Sequence, residues 1–185
     1  MSKRRPPKRK KINPHFWIFC EGETEEAYAL WLRAEYRLPI EVVAKVSGSH
    51  ISKRYIQAYK RGKPTHSKDR DFLMYDADVP EILEQLTRIR HAMLIASNPS
   101  IELWFLLHYQ DQTARISEEE CIRQLSHRNG TKYSKGMLDE KLKKRLKEYC
   151  EDACKRASAL TLYNNPSTNM HELIRAFEEA KAKQA

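Results

Sequence analysis

The chain has 185 residues and a formal net charge of +9, a size suited to one domain with its own core. No apolar run is long enough to span a membrane and the N-terminus lacks the apolar centre of a signal peptide, so membrane-protein classes are excluded and a cytoplasmic location is expected. The charge is unevenly placed: residues 1–11 hold Lys3, Arg4, Arg5, Lys8, Arg9, Lys10 and Lys11 and no acid, while the remainder has 27 basic against 25 acidic residues.

Residues 1–13, with Pro6-Pro7 and little to bury, read as a disordered basic tail. Seven cations there favour nucleic acid or another polyanion, a solubilising arm being the plain alternative. Phe16–Cys20 has the composition of a short buried strand. It runs into Glu21-Gly22 and then a helical pattern from 23 to 36, with Thr24 as a cap and Ala27, Leu30, Trp31 and Ala34 on the apolar face. Pro39 breaks that helix, and the β-branched stretch 40–46 predicts a second strand. Ser49 and His50 fall at its carboxyl end, within reach of a phosphate or in a capping role. A short helix over 52–61 then turns Tyr55, Ile56 and Tyr59 inward, and a polar, basic loop follows.

Asp71–Tyr75 predicts a third strand ending on Asp76-Ala77-Asp78, and Pro80 suits the first turn of a helix over 80–90. His91–Ala96 is a fourth strand. Asn98 is placed to cap, and Pro99 to begin, a helix over 101–108 in which Trp104 and His108 belong to a core stripe. Four strand-like runs alternating with helices predict βαβ units and a parallel sheet. No strand is predicted beyond residue 110. Ser117 and Glu120 form a capping box at a helix start, Gly130–Gly136 is a basic loop with Lys132, Tyr133 and Lys135, residues 138–159 are one broken helix or two, 164–168 is a turn, and 171–183 is a closing helix. The expected organisation is a tail at 1–13, an α/β domain at 14–110 and a helical C-terminal extension at 111–185 packed on it. Cys20, Cys121, Cys150 and Cys154 lack zinc spacing and read as reduced thiols.

The chemistry concentrates in Cys20–Glu26 (C-E-G-E-T-E-E) and in D-A-D at 76–78. Each follows an apolar strand, and open α/β sheets place their sites at the carboxyl ends of strands. Residues two apart in an extended chain point the same way, so Asp76 and Asp78 are expected to face one ligand. If the first and third strands are neighbours, Glu21, Glu25, Asp76 and Asp78 converge. Their mutual repulsion, and hard oxygen donors without thiolate or imidazole, point to Mg²⁺ or Mn²⁺. Each motif alone is weak, since acids in a first helical turn also complement the dipole. The pair, about 55 residues apart in the same strand context, is far more specific. There is no G-x-x-x-x-G-K-[ST], so ATP hydrolysis by this chain is not expected.

These residues resemble the Toprim domain of topoisomerases, bacterial primases and OLD-type nucleases, and within it the RloB family. The likeness is carried by C-E-G-E-T-E-E-A-Y at 20–28, D-A-D at 76–78, S-N-P-S-I-E-L-W-F-L-L-H-Y at 97–109 and N-P-S-T-N-M-H-E-L at 165–173. The resemblance implies a Rossmann-like, four-stranded parallel sheet flanked by helices, with an α-helical C-terminal region. It implies Glu21 as a metal ligand or general acid/base, Glu25 as the second acid of the OLD-like branch, Asp76 and Asp78 as a Mg²⁺-binding pair, and Glu102 as a further acid near the same edge. It also implies a nuclease of anti-phage defence working with an ABC-type ATPase. Ala77 and Val79 depart from the more polar residues that often flank the aspartates.

The resulting expectation is a Mg²⁺- or Mn²⁺-dependent nuclease acting on DNA or RNA, with catalysis by Glu21, Asp76 and Asp78. Lys132 and Lys135 join the tail as nucleic-acid contacts, an ordinary solvated loop being their plain alternative. A competing reading is a non-catalytic nucleic-acid-binding or ATPase-associated adaptor that retains the acids as a structural ion site. It draws weight from the modest +2 outside the tail. A topoisomerase-like activity is disfavoured by size, and oligomeric state, including a homodimer, stays open.

Overall fold

The structure, a computed structural model, describes residues 14–37 and 41–182. The basic tail and its seven cations therefore lie outside the described residues. Five strands form one sheet in the order β2-β1-β3-β4-β5. They are β1 (His15–Cys20), β2 (Glu41–Val46), β3 (Arg70–Asp76), β4 (Met93–Asn98) and β5 (Ser167–Thr168). β1 to β4 are parallel neighbours, and β5 pairs antiparallel with β4, Ser97 opposite Thr168 and Asn98 opposite Ser167. The architecture is α/β and Rossmann-like, with five strands rather than four.

The helices are α1 (Glu23–Tyr36), α2 (Lys53–Lys60), α3 (Pro80–Thr87), α4 (Ile101–Leu107), α5 (Glu118–Asn129), α6 (Glu140–Glu148), α7 (Cys150–Ser158) and α8 (Met170–Ala182), with a 3₁₀ turn at Gly48–His50. Strand side chains alternate between two apolar layers, as the two-residue period requires. Phe16, Ile18, Cys20, Phe72, Met74 and Ile95 pack with α1, α4 and α8, while Trp17, Phe19, Leu73 and Tyr75 pack with Ile56 of α2 and Leu86 of α3. Among the described residues no helix is long and apolar enough to cross a membrane.

Several local expectations are corrected. β5 falls where a turn was expected, because it is defined by pairing to β4 and not by any apolar run of its own. Asn98 does not cap α4: the Asn98–Pro99 bond is cis and Ser100 is the N-cap residue. The Asn98 amide instead donates to the carbonyls of Ala77 and Tyr163, each at 3.1 Å. Nor does Thr24 cap α1. Gly22 precedes that helix and the Glu25 carboxylate accepts from its N–H at 3.1 Å. The buried face of α1 is Tyr28, Ala29 and Leu32 with Thr24 and Glu25, and Leu30 is 45% exposed. That face is rotated from the expected one because its first turn is directed into the site. Residues beyond 110 share the main core, where Phe177 meets Phe16 edge-on at 5.3 Å and Leu125, Leu142 and Ala153 join the same cluster.

Candidate active site

The strand order places a topological switch point between β1 and β3, since the chain leaves β1 toward β2 on one side and builds β3 and β4 on the other. Connections diverge there and leave a crevice at the carboxyl edge. The register sets Cys20 opposite Met74, and Glu21 continues the pairing through its N–H to the Met74 carbonyl at 3.0 Å. Its carboxylate Oε2 then accepts the Asp76 N–H at 2.8 Å. Glu21 and Asp76, 55 residues apart in sequence, are thus joined directly.

A cleft of about 310 Å³ opens at this point, lined by Glu21 to Glu25, Asp76, Glu102, Lys135 and Gly136. Glu102, at 1% exposure, accepts from Ser100 Oγ at 2.7 Å on one oxygen and from Tyr133 Oη at 2.9 Å on the other. Of the expected ligands it is the most committed to the protein itself. Asp78 stands apart. It is exposed just past the end of β3 and does not line the cleft, although its charge still bears on Glu21 and Asp76. β3 ends at Asp76, and Asp78 lies beyond it in the bend that leads into α3, so no continued strand presents the two aspartates together.

The electrostatics match the crowding. Burial pushes the Asp76 carboxyl up to about 9, reinforced by Glu25, Glu21, Glu102 and Asp78. Burial likewise raises Glu25 to about 7, with Glu102 and Glu21 adding to it against the N–H groups at the start of α1. Glu21 is also raised, chiefly by burial. Asp76 Oδ1 is buried without a hydrogen-bond partner. These features fit a hard divalent cation, because the donors are carboxylate oxygens and one is left unsatisfied. Among the described residues no three His, Cys, Asp or Glu side chains already form a ligand set for one ion.

The far wall comes from the 130–136 loop. Gly136, at φ +75°, donates its N–H to Thr24 Oγ1 at 2.9 Å, and Lys135 pairs with Glu118 at the start of α5. Lys132 on the same loop is exposed and does not line the cleft. His50 is exposed, whereas Trp104 and His108 are fully buried in the core as expected. The roles of Thr24, Tyr133 and Gly136 escaped sequence reasoning. A glycine-bounded basic loop was visible, but nothing local marked which strand edge it would reach.

A mostly parallel α/β protein with its acids gathered at the switch point is the class that this geometry defines. Within that class, the family model described as RloB-like protein matches residues 16–177. The chain belongs to the RloB family. Compared with curated proteins and with solved structures, it matches none.

Proposed function

We propose that this protein is a Mg²⁺- or Mn²⁺-dependent nuclease of the Toprim type that cleaves DNA or RNA phosphodiesters, serving anti-phage defence beside an ABC-type ATPase. The observation that carries the reading is the union of Glu21, Glu25, Asp76 and Glu102 in one cleft with Asp76 Oδ1 buried and unsatisfied. Asp76, Glu25 and the free oxygen of Glu21 are the groups that would hold the cation, with Asp78 at the rim. A bound divalent cation supplies Lewis-acid stabilisation of the phosphoryl oxygens and a more acidic water. Glu21, whose carboxyl is raised chiefly by burial, is suited to general acid/base transfer where it does not hold the ion. Lys135, on the opposite wall, is suited to bind a phosphate oxygen. Glu102 keeps Tyr133, and through it the loop, in place.

The test is cleavage of end-labelled RNA and DNA by the full chain with Mg²⁺, with Mn²⁺ and with EDTA, beside Asp76→Asn and Glu21→Gln. Divalent-dependent cleavage lost in both variants, each still melting cooperatively, is the expected result. Cleavage that survives Asp76→Asn rejects this site. The adaptor reading is favoured by Glu102, whose two oxygens are both taken by protein donors. It predicts nucleic-acid binding with no cleavage, whether or not the ATPase partner is added.

A further inference from the structure

Residues 51–68 contain six Lys or Arg and no Asp or Glu. Of the 27 cations beyond the tail, removing these six leaves 21 against the 25 acids, so the small +2 of the body hides a marked polarity. Lys53, Arg54, Arg61, Lys63 and Lys68 are exposed, and none makes an ion pair among the described residues. The adjacent acids are already engaged. Asp71 takes Lys60 at 2.7 Å, and Asp69 accepts from the His15 N–H, Trp17 Nε1 and the His66 N–H. On α3, which packs against the same sheet face, Glu84 pairs with Arg88.

The position of these cations is tied to the acidic cleft. The 3₁₀ turn before α2 is held at the carboxyl edge of the sheet: the Ser47 N–H donates to the Cys20 carbonyl at 2.9 Å and Tyr75 Oη to the Gly48 carbonyl at 2.9 Å. Helix α2 therefore starts with Lys53 and Arg54 at the edge that carries Glu21 and Asp76, and it runs back along the opposite sheet face from α1. A groove of about 550 Å³ lies beside it, floored by Ile56 and walled in part by Lys53, Lys60, Arg61 and His91. Tyr59 lies under Lys63 at 3.1 Å, an aromatic interleaved with the charges.

We propose that the outer face of α2 and the 61–68 loop form a docking surface for a nucleic-acid backbone, which guides the strand toward the acidic cleft. A row of exposed cations, beside acids such as Asp71 and Asp69 that are already engaged, fits closely spaced phosphates, and it offsets the repulsion a polyanion meets at the carboxylates. The inference rests on the nuclease reading for the identity of the polyanion. It assigns the contact to folded structure and not to the tail alone.

The experiment is anisotropy titration of labelled single-stranded RNA, single-stranded DNA and duplex DNA over a salt series in EDTA, so that nothing is cleaved. The full chain is compared with Lys53→Gln/Arg54→Gln/Arg61→Gln and with a chain lacking residues 1–11, all checked by thermal melting. Losing three backbone contacts should make the slope of log K against log salt shallower by about two to three. Tail removal should leave the α2-dependent part of that slope in place. An unchanged slope in the triple variant, no binding by the wild type, or α2-dependent binding to anionic phosphatidylserine vesicles in place of nucleic acid would overturn the proposal. Loss of the nuclease reading has a different signature, namely α2-dependent binding with no divalent-dependent cleavage.

Discussion

Asp76 is costly to the protein that carries it. Its Oδ1 is buried without a partner and its carboxyl is raised to about 9 by burial and by four neighbouring acids. A folded-state pKa above the unfolded value means that the fold favours the protonated form. The stability it contributes is complete below about pH 4 and is lost as pH rises toward about 9. Without divalent cation, Asp76→Asn is therefore expected to leave stability unchanged near pH 4. At pH 8 it should raise stability by roughly 1–3 kcal/mol, measured by urea unfolding. Equal stability of variant and wild type at pH 8 would show that the carboxylate is not under strain. Tyr163 is a second residue held against its preference, at φ +68° with its carbonyl fixed by Asn98. Tyr163→Gly should relieve about 1 kcal/mol and raise Tm, since glycine accepts that angle freely. At this scale Glu21 and Asp76 stood out because each falls at the end of an apolar strand, and Glu25 because it lies in the first turn of the helix that follows. Glu102's partner Tyr133 did not, because their contact spans 31 positions and no local pattern encodes it.

Among the elements, the parallel strands were legible from their apolar runs and the helices from caps and period. β5 was not. Ser167-Thr168 has no alternation to betray it, and only its partners on β4 make it a strand. Asn169 finishes that edge, accepting the Ala96 N–H at 2.7 Å and donating to the Leu94 carbonyl at 2.9 Å, so that a side chain continues the ladder where the backbone turns into α8. Asn169→Ala should cost about 1–3 kcal/mol in chemical denaturation, because two strand groups lose their partner. An effect below the error of the measurement would mean that water replaces the amide at no cost. The apolar stripe of α1 was misplaced by the same kind of long-range demand. Thr24 and Glu25 turn inward to meet Gly136 and Gly22, and the helix rotates with them.

Over the whole molecule, the C-terminal helix belongs to the core of the sheet. Met170, Leu173, Ile174 and Phe177 are each buried to within 2% of full. At roughly 1.5–3 kcal/mol per buried side chain they contribute about 6–12 kcal/mol, comparable with the entire stability of a domain. A chain ending at residue 165 is thus expected to show no cooperative melt by circular dichroism, and a sharp transition would contradict a shared core. Charge is also organised at this scale. Acids collect at the switch point between β1 and β3, and the cations of 51–68 start near that edge on α2 and run back along the sheet face toward the start of β3. Counting residues along the sequence blurred that separation, because the two populations nearly cancel when summed.

The proposed divalent cation in the cleft is put to the test by calorimetric titration of Mn²⁺ into the full chain and into Asp76→Asn at pH 8. Saturable binding by the wild type, lost or weakened at least tenfold in the variant, is the expected result. Equal binding by both proteins, or none by the wild type with nucleic acid present, would contradict it.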